Sequence, residues 1–187
     1  MSDINVQLQS TKWRDLVPDV EGRAAQAAQA CLSMCPSPRA CAESNSSVYE
    51  LTLVLADAAC VRQLNRDYRG QDKATNVLSF CAPAPANVQD SGAPVPYLGD
   101  VILSHETLVE ESREQGKNLA DHLCHLVVHG VLHLVGYDHD TDQKSDAMEA
   151  LEIQVLKSLG IADPYVLDES AGLDSHPHRG LTGTQHG

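Results

Sequence analysis

Three imidazoles occur at metal-ligand spacing in the run His129-Gly-Val-Leu-His133-Leu-Val-Gly136-Tyr-Asp138-His139. On a helix, His129 and His133 project from one face, one turn above the other. Gly136 can take a left-handed conformation, end that helix and turn the chain so that His139 returns toward the first two. Three neutral imidazoles without a fourth protein ligand describe an open site, and zinc is the ion that suits such a donor set. An ion there lowers the pKa of bound water to about 7 and stabilises negative charge on a phosphoryl or carbonyl oxygen. A zinc peptidase would carry a glutamate directly after the first histidine as general base. Gly130 stands in that place, which counts against a peptidase.

Other residues of the same segment have two readings each. His122 and His125 fit hydrogen-bonded residues of a helix core. His125, four residues before His129, also has the spacing of a ligand or of a support for one. Asp138 and Asp140 flank the third histidine and can orient an imidazole through its second nitrogen, or act as turn and N-cap residues, the favoured role for Asp140. From Asp138 to Glu152 there are six acids and one lysine, read as a solvated helix face. Arg62, Arg66, Arg69 and Lys73 form one basic stripe if their helix runs that far, although Arg69 could instead pair with Asp67 or Asp72. Cys31, Cys35 and Cys41 repeat the intervals of the histidine triad, but Pro36 and Pro38 interrupt them, and the Ala-rich surroundings favour packing.

The elements that must position these groups follow from pattern. Ile4, Val6 and Leu8 alternate with polar residues as in a half-buried strand. Residues 48–55, 76–80 and 98–103 read as three further strands. Helices are expected from Asp19 to Met34, from Asp57 through Tyr68 with Gly70 beyond the end, from Ser104 to Gly116, from Asn118 to Val135, and from Asp142 to Leu159. Residues 43–47 and the Pro-rich stretch 82–97 read as loops, and 166–187 as a disordered polar tail. The order β-α-β-α-β-β-α-α-α predicts one α/β (α+β) domain over residues 1–165. Its small four-stranded sheet is mixed and packs with about five helices, the metal site lying at the C-terminal end of a central helix.

At 42% hydrophobic, the 187-residue chain is globular in class, and with seven aromatics its core must be aliphatic. No apolar run approaches a membrane span, and the N-terminus lacks the pattern of a signal peptide, so a cytoplasmic location is expected. Six scattered cysteines suit a reducing compartment. A formal charge of −13 argues against non-specific nucleic-acid binding, DNA included.

Three blocks together resemble a known family. His129-Gly-x-Leu-His133-Leu-x-Gly136-Tyr137-Asp138-His139 is similar to the signature of the bacterial YbeY family, metal-dependent endoribonucleases tied to ribosomal RNA maturation. Leu64-Asn65-x-x-Tyr68-Arg69-x-x-Asp72-x-x-Thr75-Asn76-Val77-Leu78-Ser79-Phe80 and Leu98-Gly99-Asp100-Val101-Ile102 agree in the family's order, and the resemblance spans about residues 48–160. It implies one zinc ion per chain held by His129, His133 and His139, and Arg69 as the functional arginine in the cleft beside it. Arg66 and Lys73 become candidate RNA contacts, and Asp138 a candidate support for a ligand. The implied activity is single-strand-specific cleavage in maturation of the 16S rRNA 3′ end and in ribosome quality control, with single-stranded and ribosomal RNA, and possible small-subunit proteins, as partners. A non-catalytic zinc-containing assembly factor and a metal hydrolase of other substrates are the alternatives.

Overall fold

Strand β1 (Asp3–Leu8) buries Ile4, Val6 and Leu8 against the core while Asp3, Asn5 and Gln7 face water, the period-two pattern of an edge strand with one wet face. The computed structural model describes residues 1–35, 48–83 and 95–166. The expected loop at 43–47, most of the Pro-rich 82–97 loop, nearly all of the tail and Cys41 lie outside the described residues. Strand β2 (Glu50–Ala56) is buried on both faces, as a central strand must be. Strands β3 (Val77–Cys81) and β4 (Tyr97–Ser104) complete one sheet in the order β1-β2-β4-β3. β1, β2 and β4 run parallel and β3 pairs antiparallel with β4, so the sheet is mixed as expected.

One irregularity sets the phase of β4. The β2–β4 register slips by one residue between Glu50↔Tyr97 and Thr52↔Asp100. The extra residue lets Leu98 and Val101, three apart, both face the main core. Gly99 sits in that bulge at φ +130°, where a Cβ would lie 2.0 Å from the Phe80 carbonyl oxygen, so no larger residue fits.

Helices α2 (Val20–Met34), α5 (Leu119–Leu134) and α6 (Asp142–Ser158) enclose the large core with Leu51, Leu53, Leu55 and Leu103 of the sheet. On the other face, α3 (Ala58–Arg69) covers a smaller cluster of Val54, Ala56, Val61, Leu78 and Ile102. Helix α4 (His105–Gln115) leads from β4 toward α5. Side chains of Asp57, Ser104 and Asn118 cap α3, α4 and α5, and Gly70 and Gly116 close α3 and α4 in the left-handed conformation, all at the expected places. No helix among the described residues is long and apolar enough to cross a membrane.

Three features depart from expectation. A sixth helix, α1 (Lys12–Leu16), precedes α2; it is one short turn without a side-chain cap and is held by Trp13, fully buried, whose Nε1 donates to the Ala56 carbonyl at 2.9 Å. α6 is capped by Thr141, whose Oγ1 accepts from the Lys144 N–H, rather than by Asp140 or Asp142. Lys73 falls off the basic stripe, because α3 ends just before Gly70.

Gly130 has a packing role. A Cβ there would lie 2.5 Å from Val101 Cγ1 and 3.1 Å from Ser79 Oγ, and its carbonyl already accepts from that hydroxyl at 3.1 Å. Val101 is fully buried and β-branched, so it cannot rotate away. Gly130→Ala gains about 1 kcal/mol in helix propensity, but overpacking costs about 1–3 kcal/mol. The balance is a net loss of about 0–2 kcal/mol, centred near 1, read as a lower urea midpoint at unchanged m. A midpoint above wild type would show that α5 does not rest on β4 through this residue.

Candidate metal centre

Helix α5 is apolar around most of its girth and runs through the middle of the fold, which fixes His129 and His133 near its end. Two bonds then close it: Gly136 N–H donates to the His133 carbonyl at 3.0 Å, and Tyr137 N–H to that of Leu132 at 2.9 Å. Gly136, at φ +96°, makes this paired closure possible. The chain doubles back, and one donor atom from each of His129, His133 and His139 lies within 4.8 Å of the others. The expected triad is therefore brought together, and among the described residues it is the cluster with metal-donor geometry. Cys31 and Cys35 have sulfurs 3.8 Å apart, and Cys31 sits in the core beneath Val128.

The second nitrogens of the first two ligands determine their chemistry. His129 Nδ1 lies 2.7 Å from Glu152 Oε1, and His133 Nδ1 lies 3.1 Å from the Tyr137 carbonyl oxygen. An ionised carboxylate and a carbonyl only accept, so both Nδ1 atoms carry a proton, and in the neutral rings the Nε2 atoms are left with free lone pairs. Those two Nε2 atoms face each other at 3.1 Å. Opposed lone pairs repel unless a cation lies beside them. Burial, and then the neighbouring His129 and His139 rings, push the His133 pKa below its ordinary value, so a proton is disfavoured in that role. Ligands at about 2.05 Å from a tetrahedral zinc lie about 3.3 Å apart, close to the observed gap. The donor set fits a divalent metal of that size.

Glu152 corrects the reading of the acidic run as a solvated face. Its neighbours Asp140, Asp142 and Asp146 are exposed, but Glu152 is 0% exposed. Oε2 accepts from His125 Nε2 at 2.9 Å and from the Tyr165 hydroxyl, while Oε1 takes His129. Burial pushes this carboxyl up, but hydrogen bonds from His125, His129 and Tyr165 outweigh it and bring it down to about 2. It is therefore an anion at neutral pH, and it fixes the tautomer and ring orientation of His129. His125 meets its first expected reading, a hydrogen-bonded residue of the helix core, and is linked to His129 only through Glu152. The missed signal was spacing: Met148, Glu152, Val155 and Leu156 fall at i, i+4, i+7 and i+8, which places a carboxylate on the buried stripe of α6. His122, two turns before His129 on the same stripe of α5, bonds Glu111 at 2.9 Å, and Glu111 in turn accepts twice from Asn76 Nδ2 at 3.0 Å.

The triad opens into a cleft of ≈ 550 Å³ whose opposite wall is β3 (Val77, Ser79, Cys81) with Asn76 just before it, and Arg69 at its rim. Arg69 reaches over the edge of the sheet and donates from Nη2 to the Ser79 carbonyl at 3.3 Å. Neither expected ion pair forms, because Asp72 is held by Arg62 at 2.7 Å and Asp67 by Arg66 at 3.1 Å. Arg69 is thus a cation without a carboxylate partner among the described residues, beside a three-imidazole cluster. Arg66 and Lys73 are exposed and lie outside the cleft lining. Asp138 lines the cleft, and its Oδ1 accepts from the His139 backbone N–H at 2.8 Å, so it braces the turn rather than an imidazole.

Residues 12–160 match the family model described as Endoribonuclease YbeY. Curated proteins named Endoribonuclease YbeY are similar over most of the chain. That of Paramagnetospirillum magneticum is 48% identical over 87% of this chain and 95% of its own length. That of Rhodospirillum rubrum is 48% identical over 82% and 76%, and that of Parvibaculum lavamentivorans 44% identical over 89% and 86%.

Proposed function

The chain belongs to the YbeY endoribonuclease family, and from that premise we propose that it cleaves single-stranded RNA at one zinc ion held by His129, His133 and His139. We infer further that its substrate is ribosomal RNA, at the 3′ end of the 16S molecule, in cytoplasmic ribosome maturation and quality control. The observation that carries the chemical part is the pair of Nε2 atoms facing each other at 3.1 Å in the cleft that Arg69 borders.

When bound, zinc supplies a Lewis acid that lowers the pKa of water and offsets charge on a phosphoryl oxygen. The chain's own residues do the rest. Glu152 and the Tyr137 carbonyl hold the two imidazoles in the ligand tautomer. Arg69, anchored through one N–H on Ser79, keeps its remaining donors for a phosphate, and a planar fork there stabilises the extra charge that develops during phosphoryl transfer. Arg66 and Lys73, outside the cleft, serve the flanking backbone. On a −13 chain, an arginine without a carboxylate partner among the described residues draws phosphate to the cleft rim.

Zinc-loaded protein is expected to cut single-stranded RNA and to spare duplex. Chelation or His133→Ala should remove the activity, and zinc readdition should restore only the chelated wild type. In cells carrying His129→Ala, 16S precursors with extended 3′ ends should accumulate. Intact single-stranded RNA after incubation with zinc-loaded protein, together with normal 16S ends in that strain, would leave the catalytic reading without support.

A further inference from the structure

Strand β3 has two faces with different chemistry. Ser79 and Cys81 line the histidine cleft, whereas Phe80 between them points to the α3 side and packs on the smaller core cluster. Tyr68, in the last turn of α3, lies against Phe80 with ring centroids 5.2 Å apart and planes tilted by 59°. The Arg69 guanidinium carbon stands 6.0 Å from the Phe80 ring centre, while its Nη2 reaches the Ser79 carbonyl. Three planar groups are thus gathered along the outer edge of β3, and the last of them forms the rim of the cleft.

Nothing in the fold requires Tyr68 to be there. It is 72% exposed, and among the described residues its hydroxyl has no hydrogen-bond partner. Tyr97 and Tyr165 differ: the first donates to Asp100 and accepts from the Thr52 hydroxyl, the second donates to Glu152. The chain has seven aromatics in all, so two rings gathered beside Arg69 on the α3 side of β3, one of them largely in water, are a notable share. The charge also fits a nucleic-acid strand, since Arg62 and Arg66 are answered by carboxylates and Arg69 is not.

We propose that Tyr68 and Phe80, with the Arg69 guanidinium, form a shelf on which an unpaired RNA base stacks, next to the phosphate held in the histidine cleft. This rests on the RNA-cleavage reading above and gives single-strand preference a structural origin. A base in a duplex is already stacked on its neighbours and cannot turn out onto the shelf, whereas an unpaired base can lie on an aromatic ring or an arginine plane. Every base has a flat face, so the shelf sets strandedness more than sequence.

The test is steady-state cleavage of a short fluorogenic single-stranded RNA by the zinc-loaded full chain. Tyr68→Ala should raise KM by about 10-fold with little change in kcat, and Tyr68→Trp should restore it. Because Tyr68 is exposed, the urea midpoint of both variants should match wild type. Removing single bases from the RNA should raise the wild-type KM at one position by a similar factor and add nothing there in Tyr68→Ala. A wild-type KM for Tyr68→Ala, or an abasic penalty that persists in it undiminished, overturns the shelf while leaving RNA cleavage standing. Failure of wild-type protein to cleave any single-stranded RNA overturns both.

Discussion

Glu152→Ala is expected to weaken zinc binding by about 10- to 100-fold and to lower the stability of the zinc-free chain by about 3 kcal/mol. The two effects have separate origins. Without the carboxylate, His129 Nδ1 has no acceptor, and the ring is free to turn or to take the other tautomer, which places a proton on the nitrogen that faces the metal. The zinc-free chain loses a buried anion with three partners, His125, His129 and Tyr165, leaving their donors unpaired in a space that water fills poorly. Glu152→Gln separates the causes. It keeps the volume, but its amide nitrogen donates, so one of the two imidazoles must flip or lose its bond. Its packing loss should be small and its affinity loss should approach that of alanine. Chelator competition measures the affinity, and urea unfolding after metal removal measures the stability. Unchanged affinity in both variants would mean that Glu152 does not orient His129.

Arg69→Ala should reduce the single-turnover cleavage rate by about 10²- to 10³-fold while leaving zinc content and urea midpoint near wild type. The side chain is exposed, and its one backbone anchor is a 3.3 Å bond, so removing it subtracts little from the fold. Its value lies in what it meets when a phosphate is present. Arg69→Lys should recover only part of the rate, because an ammonium supplies charge without the planar pair of donors. A rate for Arg69→Ala within a few-fold of wild type would move the phosphate away from the cleft rim.

Local chemistry was the legible part of this fold. Asp57, Ser104 and Asn118 marked helix starts because each side chain accepts from the first turn of its own helix, and Gly70, Gly116 and Gly136 marked ends because each occupies a positive φ. The triad was legible for the same reason, two ligands one turn apart followed by a glycine turn. α1 escaped because five residues are too few to show a period, and its anchor, Trp13, bonds a carbonyl 43 positions away. Glu152 escaped because its burial depends on how α6 docks on α5, which composition hides: six acids in a row of fifteen residues look like a wet surface whichever way the helix turns. The fate of Arg69 also depended on distance, since its two candidate carboxylates are claimed by Arg62 and Arg66.

The position of β3 has a consequence for the behaviour of many copies together. It is the last strand of the sheet, and an outer strand with open peptide groups is a template for another chain. Here the Ser79 carbonyl is taken by Arg69, and the Val77 N–H by the Asn76 side chain at 2.7 Å. Two of the peptide groups that such pairing would use are therefore already taken by residues that border the cleft. Variants at Arg69 and Asn76 bear on colloidal behaviour as well as rate, and sedimentation profiles belong beside their kinetics.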